Sequence, residues 1–389
     1  MLMNNNFNPQ CITYSQMNLI VNARIYYRRL MAWTRAYFLS KYFGIGAAED
    51  LFSRLYSETL DLGNMLKIIH GSEDAEQYSR ILSLFAIALR EIIDAQLAGN
   101  MEEVTRNVNR LYEVAAERKA FIQKINPYAS PEYESLFEIY VQYILEEANA
   151  LAAGDYSRDI AVYDLLTAHV DRMGDAFAEG IYDFITSGSA DTESLEPSDD
   201  GECITYEQMN DIFTIRMLWF ELVTWVRNYM LSRYVGIGNS DEIYARLKEV
   251  PVEYVNTLKK YFDDIVVEDY IQLFDTYIEL IDAFITANME GDVDELNEIT
   301  KKLYQNADER AAFDASINPF WDEIEGRNRL YTNLRTTIDE STTFLTGDYA
   351  RNIDIFARLL DQAENASTFL GQGLSNYIIS NQQIQGFRS

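Results

Sequence analysis

Four passages of this chain occur twice, the second copy 192 or 193 residues after the first. "CITYSQMN" (Cys11 to Asn18) returns as "CITYEQMN" (Cys203 to Asn210), and "WTRAYFLSKYFGIG" (Trp33 to Gly46) returns as "WVRNYMLSRYVGIG" (Trp225 to Gly238). "YEVAAERKAFIQKINPYA" from Tyr112 returns as "YQNADERAAFDASINPFW" from Tyr304, still at 192. "GDYSRDI" from Gly154 returns as "GDYARNI" from Gly347 at 193, so one residue is gained in between. A period this long marks tandem domains rather than a short-repeat solenoid. The chain therefore reads as two versions of one unit, residues 11–187 and 203–380, with short tails at 1–10 and 381–389. Between the units, residues 188–202 carry six acidic side chains and no basic one among small polar residues, the composition of a solvated linker.

Inside each unit the apolar spacing is helical. Leu19, Ala23, Tyr26, Leu30, Trp33 and Tyr37 step by three and four, which predicts one buried helix face. Thr13 and Thr205 stand where N-caps belong, with Gln16 and Gln208 three residues on to close a capping box, and with Ile12 and Ile204 placed for a hydrophobic staple. Gly44 and Gly236 supply left-handed residues to end that helix. Asn126 and Asn318 precede prolines, which push them out of the helical region and stop a later helix; the aromatic after each proline is expected to fold back onto the bundle. A further helix reaches about Ala153 and Thr346, and Asp155 and Asp348 are placed to cap the last one. The expectation is all-α: two tandem antiparallel bundles of five or six helices, four of them long.

Composition narrows the function classes. A net charge of −30 repels phosphate backbones and anionic lipids, so neither nucleic acid nor a membrane surface is an expected partner. There is no signal-peptide pattern and no apolar run long enough to span a bilayer, so a cytoplasmic location is expected. The 27 tyrosines and 20 phenylalanines suit half-buried helix faces and protein contacts, where a ring packs while a hydroxyl stays wet. Two cysteines make no disulfide framework. Cys11 and Cys203 each sit just outside an N-cap, and read as small apolar residues beside the staple or, alternatively, as exposed cross-links between chains.

No reaction centre is legible. His70, next to Gly71, is placed at a helix C-terminus, and His169 is mid-helix; neither has a counterpart in the second unit. Glu-x-x-His, the signature of di-metal bundles, is missing, because Lys67 and Leu166 stand three residues before the histidines. The charged residues kept in both units are Arg35 and Arg227, Glu117 and Glu309, Arg118 and Arg310, Arg158 and Arg351. Of these, Arg35 with Glu117 and Arg227 with Glu309 are the candidate pairs, read first as inter-helix salt bridges and second as a ligand-recognising cleft.

These passages resemble a family of small proteins common in spore-forming Firmicutes, each roughly one such unit long and often labelled acetylglutamate kinase. "CIT", "AWTR" (Ala32 to Arg35), "NADERAAFDASINPFW" (Asn306 to Trp321) and "TGDYARNIDIF" (Thr346 to Phe356) carry the likeness. The residues do not support the kinase label, since no glycine-rich phosphate loop opens a helix and no strand–helix alternation holds one. The resemblance implies histidines on three helices converging inside the bundle. This chain has Leu30 and Leu222 at the first position, Phe85 and Tyr277 at the second, Val141 and Asn333 at the third. The expected function is accordingly a non-catalytic structural or scaffolding protein that associates with itself, with no cofactor and no metal. A ligand- or metal-binding module with a site inside one bundle is the alternative, and an enzyme the third choice.

Overall fold

Thr13 opens the first helix as its neighbours dictate: its hydroxyl accepts from the Gln16 amide at 3.3 Å, while Gln16 Oε1 accepts from the Thr13 amide at 2.9 Å. The computed structural model describes residues 11–129, 131–187, 203–262 and 264–386. The helix so begun, α1 (Tyr14–Phe43), ends at Gly44 with φ of 66°, in the left-handed region that glycine tolerates. Thr205 and Gln208 form the same box at the head of α7 (Tyr206–Val235), and Gly236 closes it with φ of 77°.

The chain divides into two compact units, Met1–Glu202 and Cys203–Ser389. The first holds α1, α2 (Ala48–His70), α3 (Ser72–Leu97), α4 (Met101–Ile125), α5 (Pro131–Ala153) and α6 (Tyr156–Ser187). The second holds α7, α8 (Ser240–Leu258), α9 (Asp264–Glu290), α10 (Val293–Ile317), α11 (Glu323–Thr346) and α12 (Tyr349–Gly386). Among the described residues there is no strand, and the fold is all-α. Among the described residues each unit has six helices, none shorter than the 19 residues of α8, where five or six with four long ones were expected. α12 runs through Gly386, so the tail expected from 381 is mostly helix. The expected tail at 1–10 and linker at 188–202 lie outside the described residues.

Short turns pack consecutive helices side by side, α2 on α3, α3 on α4 and α5 on α6, while α1 closes the bundle against α6 and α2 and also touches α5 and α3. α7 stands in the same place among α8, α12, α11 and α9. The one-face expectation for α1 is corrected here. From Ala23 to Ser40 every residue but Arg29 is buried, and from Ile215 to Ser232 every residue but Glu221. A helix covered on all sides needs partners for whatever polar side chains it carries.

The repeated "INP" passage makes a latch. Asn126 ends α4, accepts from the Tyr128 amide at 3.0 Å and donates through Nδ2 to the Gly180 carbonyl on α6 at 2.8 Å. The aromatics directly after the prolines do not fold back, since Tyr128 and Phe320 remain exposed. In the second unit the next residue does so: Trp321 is buried, lies against Gly373 and donates from Nε1 to the Leu370 carbonyl at 3.0 Å.

Candidate functional site

The buried face of α1 carries three arginines, and each finds its carboxylate on a distant helix. Arg24 forks onto Asp175 of α6 at 2.5 and 2.8 Å, and Arg28 onto Asp171 at 2.8 and 2.7 Å. Arg35 lies deepest. Its Nη1 donates to Glu147 Oε1 on α5 at 2.9 Å and to Asp159 Oδ1 on α6 at 2.8 Å, and its Nη2 donates to Asp159 Oδ2 at 2.6 Å. The guanidinium also stands 4.6 Å from the Tyr163 ring centroid. One cation thus faces two carboxylates in a site closed to water. Burial, reinforced by Asp159 alongside, outweighs Arg35 and pushes the Glu147 carboxyl up to about 8.

The second unit repeats the cluster with one acid removed. Arg227 Nη1 donates to Glu340 Oε1 of α11 at 2.5 Å, but Asn352 stands where the first unit has Asp159. The Asn352 amide accepts from Arg227 and donates to Thr343 Oγ1 at 2.8 Å. Phe356 replaces Tyr163, with the Arg227 guanidinium 4.3 Å from its centroid. The formal charge of the buried set falls from −1 to zero, while burial still raises the Glu340 carboxyl.

Two of the four candidate site residues are therefore interior and two are not. Arg35 and Arg227 hold inter-helix ion pairs, but Glu117 is exposed and pairs with exposed Arg80 at 3.4 Å. Glu309 is exposed and accepts from Gln305 at 2.9 Å. Neither glutamate approaches its expected arginine. They lie on the outer faces of α4 and α10, where only the arginine that follows each turns inward. The partners missed in the sequence, Glu147 and Glu340, are both glutamates at a spacing of 193, the register of the "GDY" passage that follows them.

That arginine is the other interior feature. Arg118 is enclosed by rings and donates to the hydroxyls of Tyr78 at 3.2 Å, Tyr27 at 3.3 Å and Tyr133, with the Phe137 centroid 4.0 Å away. Arg158 pairs with exposed Glu146 at the surface. His169 is buried with Nε2 2.6 Å from the Leu136 carbonyl, and burial lowers its basicity. His70 ends α2, and burial against Phe184 disfavours its charge rather than helping it as a helix C-terminus would. Cys11 and Cys203 are half-buried and neither is a free thiol, which corrects the reading of each as a plain apolar side chain. Among the described residues no group of three or more His, Cys, Asp or Glu is arranged to hold a metal, and no helix is long and apolar enough to cross a membrane.

What the arginine clusters can do chemically is limited by closure. Glu147 and Asp159 are both buried and bonded to Arg35, Glu147 through Oε1 with its Oε2 buried and unpartnered, so neither carboxylate is exposed to solvent. No protein-family model, no curated protein and no solved structure matches this chain.

Proposed function

We propose that the chain is a non-catalytic structural protein that self-associates, as a two-unit relative of the single-unit Firmicutes proteins it resembles. The observation that carries this reading is an exposed apolar pair found in both units. Leu97 and Met101 flank the α3–α4 turn at 51% and 66% exposure; Met289 and Val293 flank the α9–α10 turn at 47% and 66%, displaced by 192. Exposed apolar side chains are individually unremarkable. The same pair at the tip of the same turn in both units gives each chain two similar contact points, and contacts that do not close on themselves build open assemblies. The buried Arg35 and Arg227, each held by side chains of neighbouring helices, support the non-catalytic half of the reading. The non-free cysteines favour an oxidising setting over a cytoplasmic one.

Multi-angle light scattering over a concentration series tests the association. The expected mass rises above that of one chain, and Met101→Glu combined with Val293→Glu lowers it. A single-chain mass at every concentration overturns the proposal. Incubation with acetylglutamate and ATP is expected to give no phosphorylated product.

A further inference from the structure

The two units share one helical plan, so each position in the first is a control for its copy in the second. The contrast is sharpest on the inward face of α10, the copy of α4. On α4 that face carries Val114, Arg118, Ile122 and the cap Asn126, all buried. On α10, 192 residues later, the same places hold Asn306, Arg310, Asp314 and the cap Asn318, also buried and all polar.

The first unit satisfies its polar groups there. Arg118 donates to three tyrosine hydroxyls, and Asn126 Nδ2 donates to the Gly180 carbonyl. The second unit leaves the matching groups over. Arg310 donates no hydrogen bond to any described residue, and its Nε and Nη1, Asn306 Oδ1 and Asn318 Nδ2 are buried without partners. What holds the face is Tyr270 donating to Asp314 Oδ1 at 2.7 Å, Asn306 Nδ2 donating to the Leu273 carbonyl at 2.9 Å, and Asn318 Oδ1 accepting from the Phe320 amide at 3.0 Å.

Substitutions on the facing helices are the cause. Trp219 stands in place of Tyr27 and offers a ring but no acceptor, and Tyr270 stands in place of Tyr78 with its hydroxyl turned to Asp314. Gly326 stands in place of Tyr133. Burial fixes that match: Tyr133, Tyr140 and Glu147 on α5 answer to Gly326, Asn333 and Glu340 on α11, all buried and all at 193. Asn333 therefore copies Tyr140, rather than Val141 as the sequence suggested.

A buried donor or acceptor without a partner is worse off than in water, and a buried guanidinium more so. The rings of Trp219, Phe274 and Tyr277, with centroids 4.5 to 5.3 Å from Arg310, recover part of that loss. Moving α10 off its neighbours returns Asn306, Arg310 and Asn318 to water, so the movement costs less than the same movement of α4. Water has a way in, because Asp314 borders a recess beside Gly326 and Asn333 that is partly open to solvent and has room for about one water molecule. Beyond α10 the chain is anchored by Trp321, buried against Gly373 and donating to the Leu370 carbonyl.

We propose that α10 opens as a local unit, turning its polar face into water while the rest of the second bundle and all of the first stay closed. Opening uncovers the Trp219, Phe274 and Tyr277 rings, which the closed chain hides.

Hydrogen–deuterium exchange of the intact chain, read by mass spectrometry on peptides from α10 (293–317) and α4 (101–125), tests this. After correction for intrinsic rates, α10 is expected to exchange at least about tenfold faster than α4. The cause predicts opposite responses to one kind of substitution. Arg310→Met removes a charge that has no acceptor and is expected to slow α10 exchange by about tenfold, whereas Arg118→Met strips three hydroxyls of their donor and is expected to speed α4 exchange. Asn306→Val, which copies Val114, is expected to slow α10 exchange as well and gives a second reading should either arginine variant fail to fold. Exchange in α10 no faster than in α4, one rate shared by α7, α10 and α12, or α10 exchange that neither Arg310→Met nor Asn306→Val slows overturns the proposal.

Discussion

At the scale of single residues, the two arginine clusters are one experiment performed twice. Arg35 faces Glu147 and Asp159, whereas Arg227 faces Glu340 and Asn352. A buried guanidinium with one carboxylate is electrically closed; with two it leaves an extra negative charge that only a proton can neutralise. Asp159→Asn copies the second unit's solution into the first. It is expected to keep the Arg35–Glu147 bond, bring the Glu147 carboxyl back down, and raise stability at pH 8 more than at pH 5. Urea unfolding at the two pH values measures this, and an equal change at both would remove the excess charge as the cause. Arg35→Met is the opposite case, leaving two buried acids without a cation. Its expected loss is about 3–5 kcal/mol at pH 8, the range for breaking a buried pair by removing one partner.

At the scale of helices, close approach decides which glycines can change. Gly174 on α6 faces α1, where an added Cβ would sit 2.7 Å from Arg24 Cα and backbone N, so main chain and not a flexible side chain must give way. Gly326 on α11 faces a recess, and an added Cβ would meet Phe369 and Ala311 at 3.7 and 3.9 Å, ordinary contact distances. Gly174→Ala is expected to destabilise by about 1–3 kcal/mol through overpacking. Gly326→Ala is expected to stabilise by about 0.5–1 kcal/mol through lower chain entropy in the unfolded state. Opposite shifts in the urea midpoint check the pair. The same distinction explains what was legible beforehand. The starts and stops of α1 and α7 were readable because Thr13, Gln16 and Gly44, with their copies, act on backbone groups within a few residues. The all-round burial of α1 was not, because Arg24, Arg28 and Arg35 break its apolar pattern and are reconciled only by acids 112 to 151 residues away. Pairing Arg35 with Glu117 followed from both being kept in the two units. Shared retention does not say which face of a helix a residue occupies, and Glu117 proved to be one step off the buried stripe that Arg118 holds.

At the scale of the whole molecule, buried acids should make this protein respond to pH in the less usual direction. Paired surface carboxylates commonly have depressed pKa values, and their stabilisation is lost as pH falls. Here the interior acids are raised: Glu147 to about 8 by burial and Asp159, Asp314 from 3.8 to about 7 by burial, and Glu340 and Glu58 in the same direction by burial. Between the unfolded values and these folded ones, the native chain holds protons that the unfolded chain has released. Unfolding free energy must then fall as pH rises, by at most about 1.4 kcal/mol per pH unit for each proton held. The stabilisation is complete below pH 4.5 for the glutamates, declines from there, and is lost once pH passes about 8. Self-repulsion of the −30 surface acts with the same sign, because raising the pH completes that charge. Salt separates the two contributions: ions screen exposed charges over a few ångströms at high ionic strength but leave a closed interior nearly untouched. The melting temperature is therefore expected to be higher at pH 5 than at pH 8 in both low and high salt. The difference that survives high salt should shrink in the double variant Asp159→Asn with Asp314→Asn. A melting temperature that climbs from pH 5 to pH 8, or a pH effect abolished by salt alone, would mean that the interior acids are ionised without penalty and that the clusters are solvated rather than sealed.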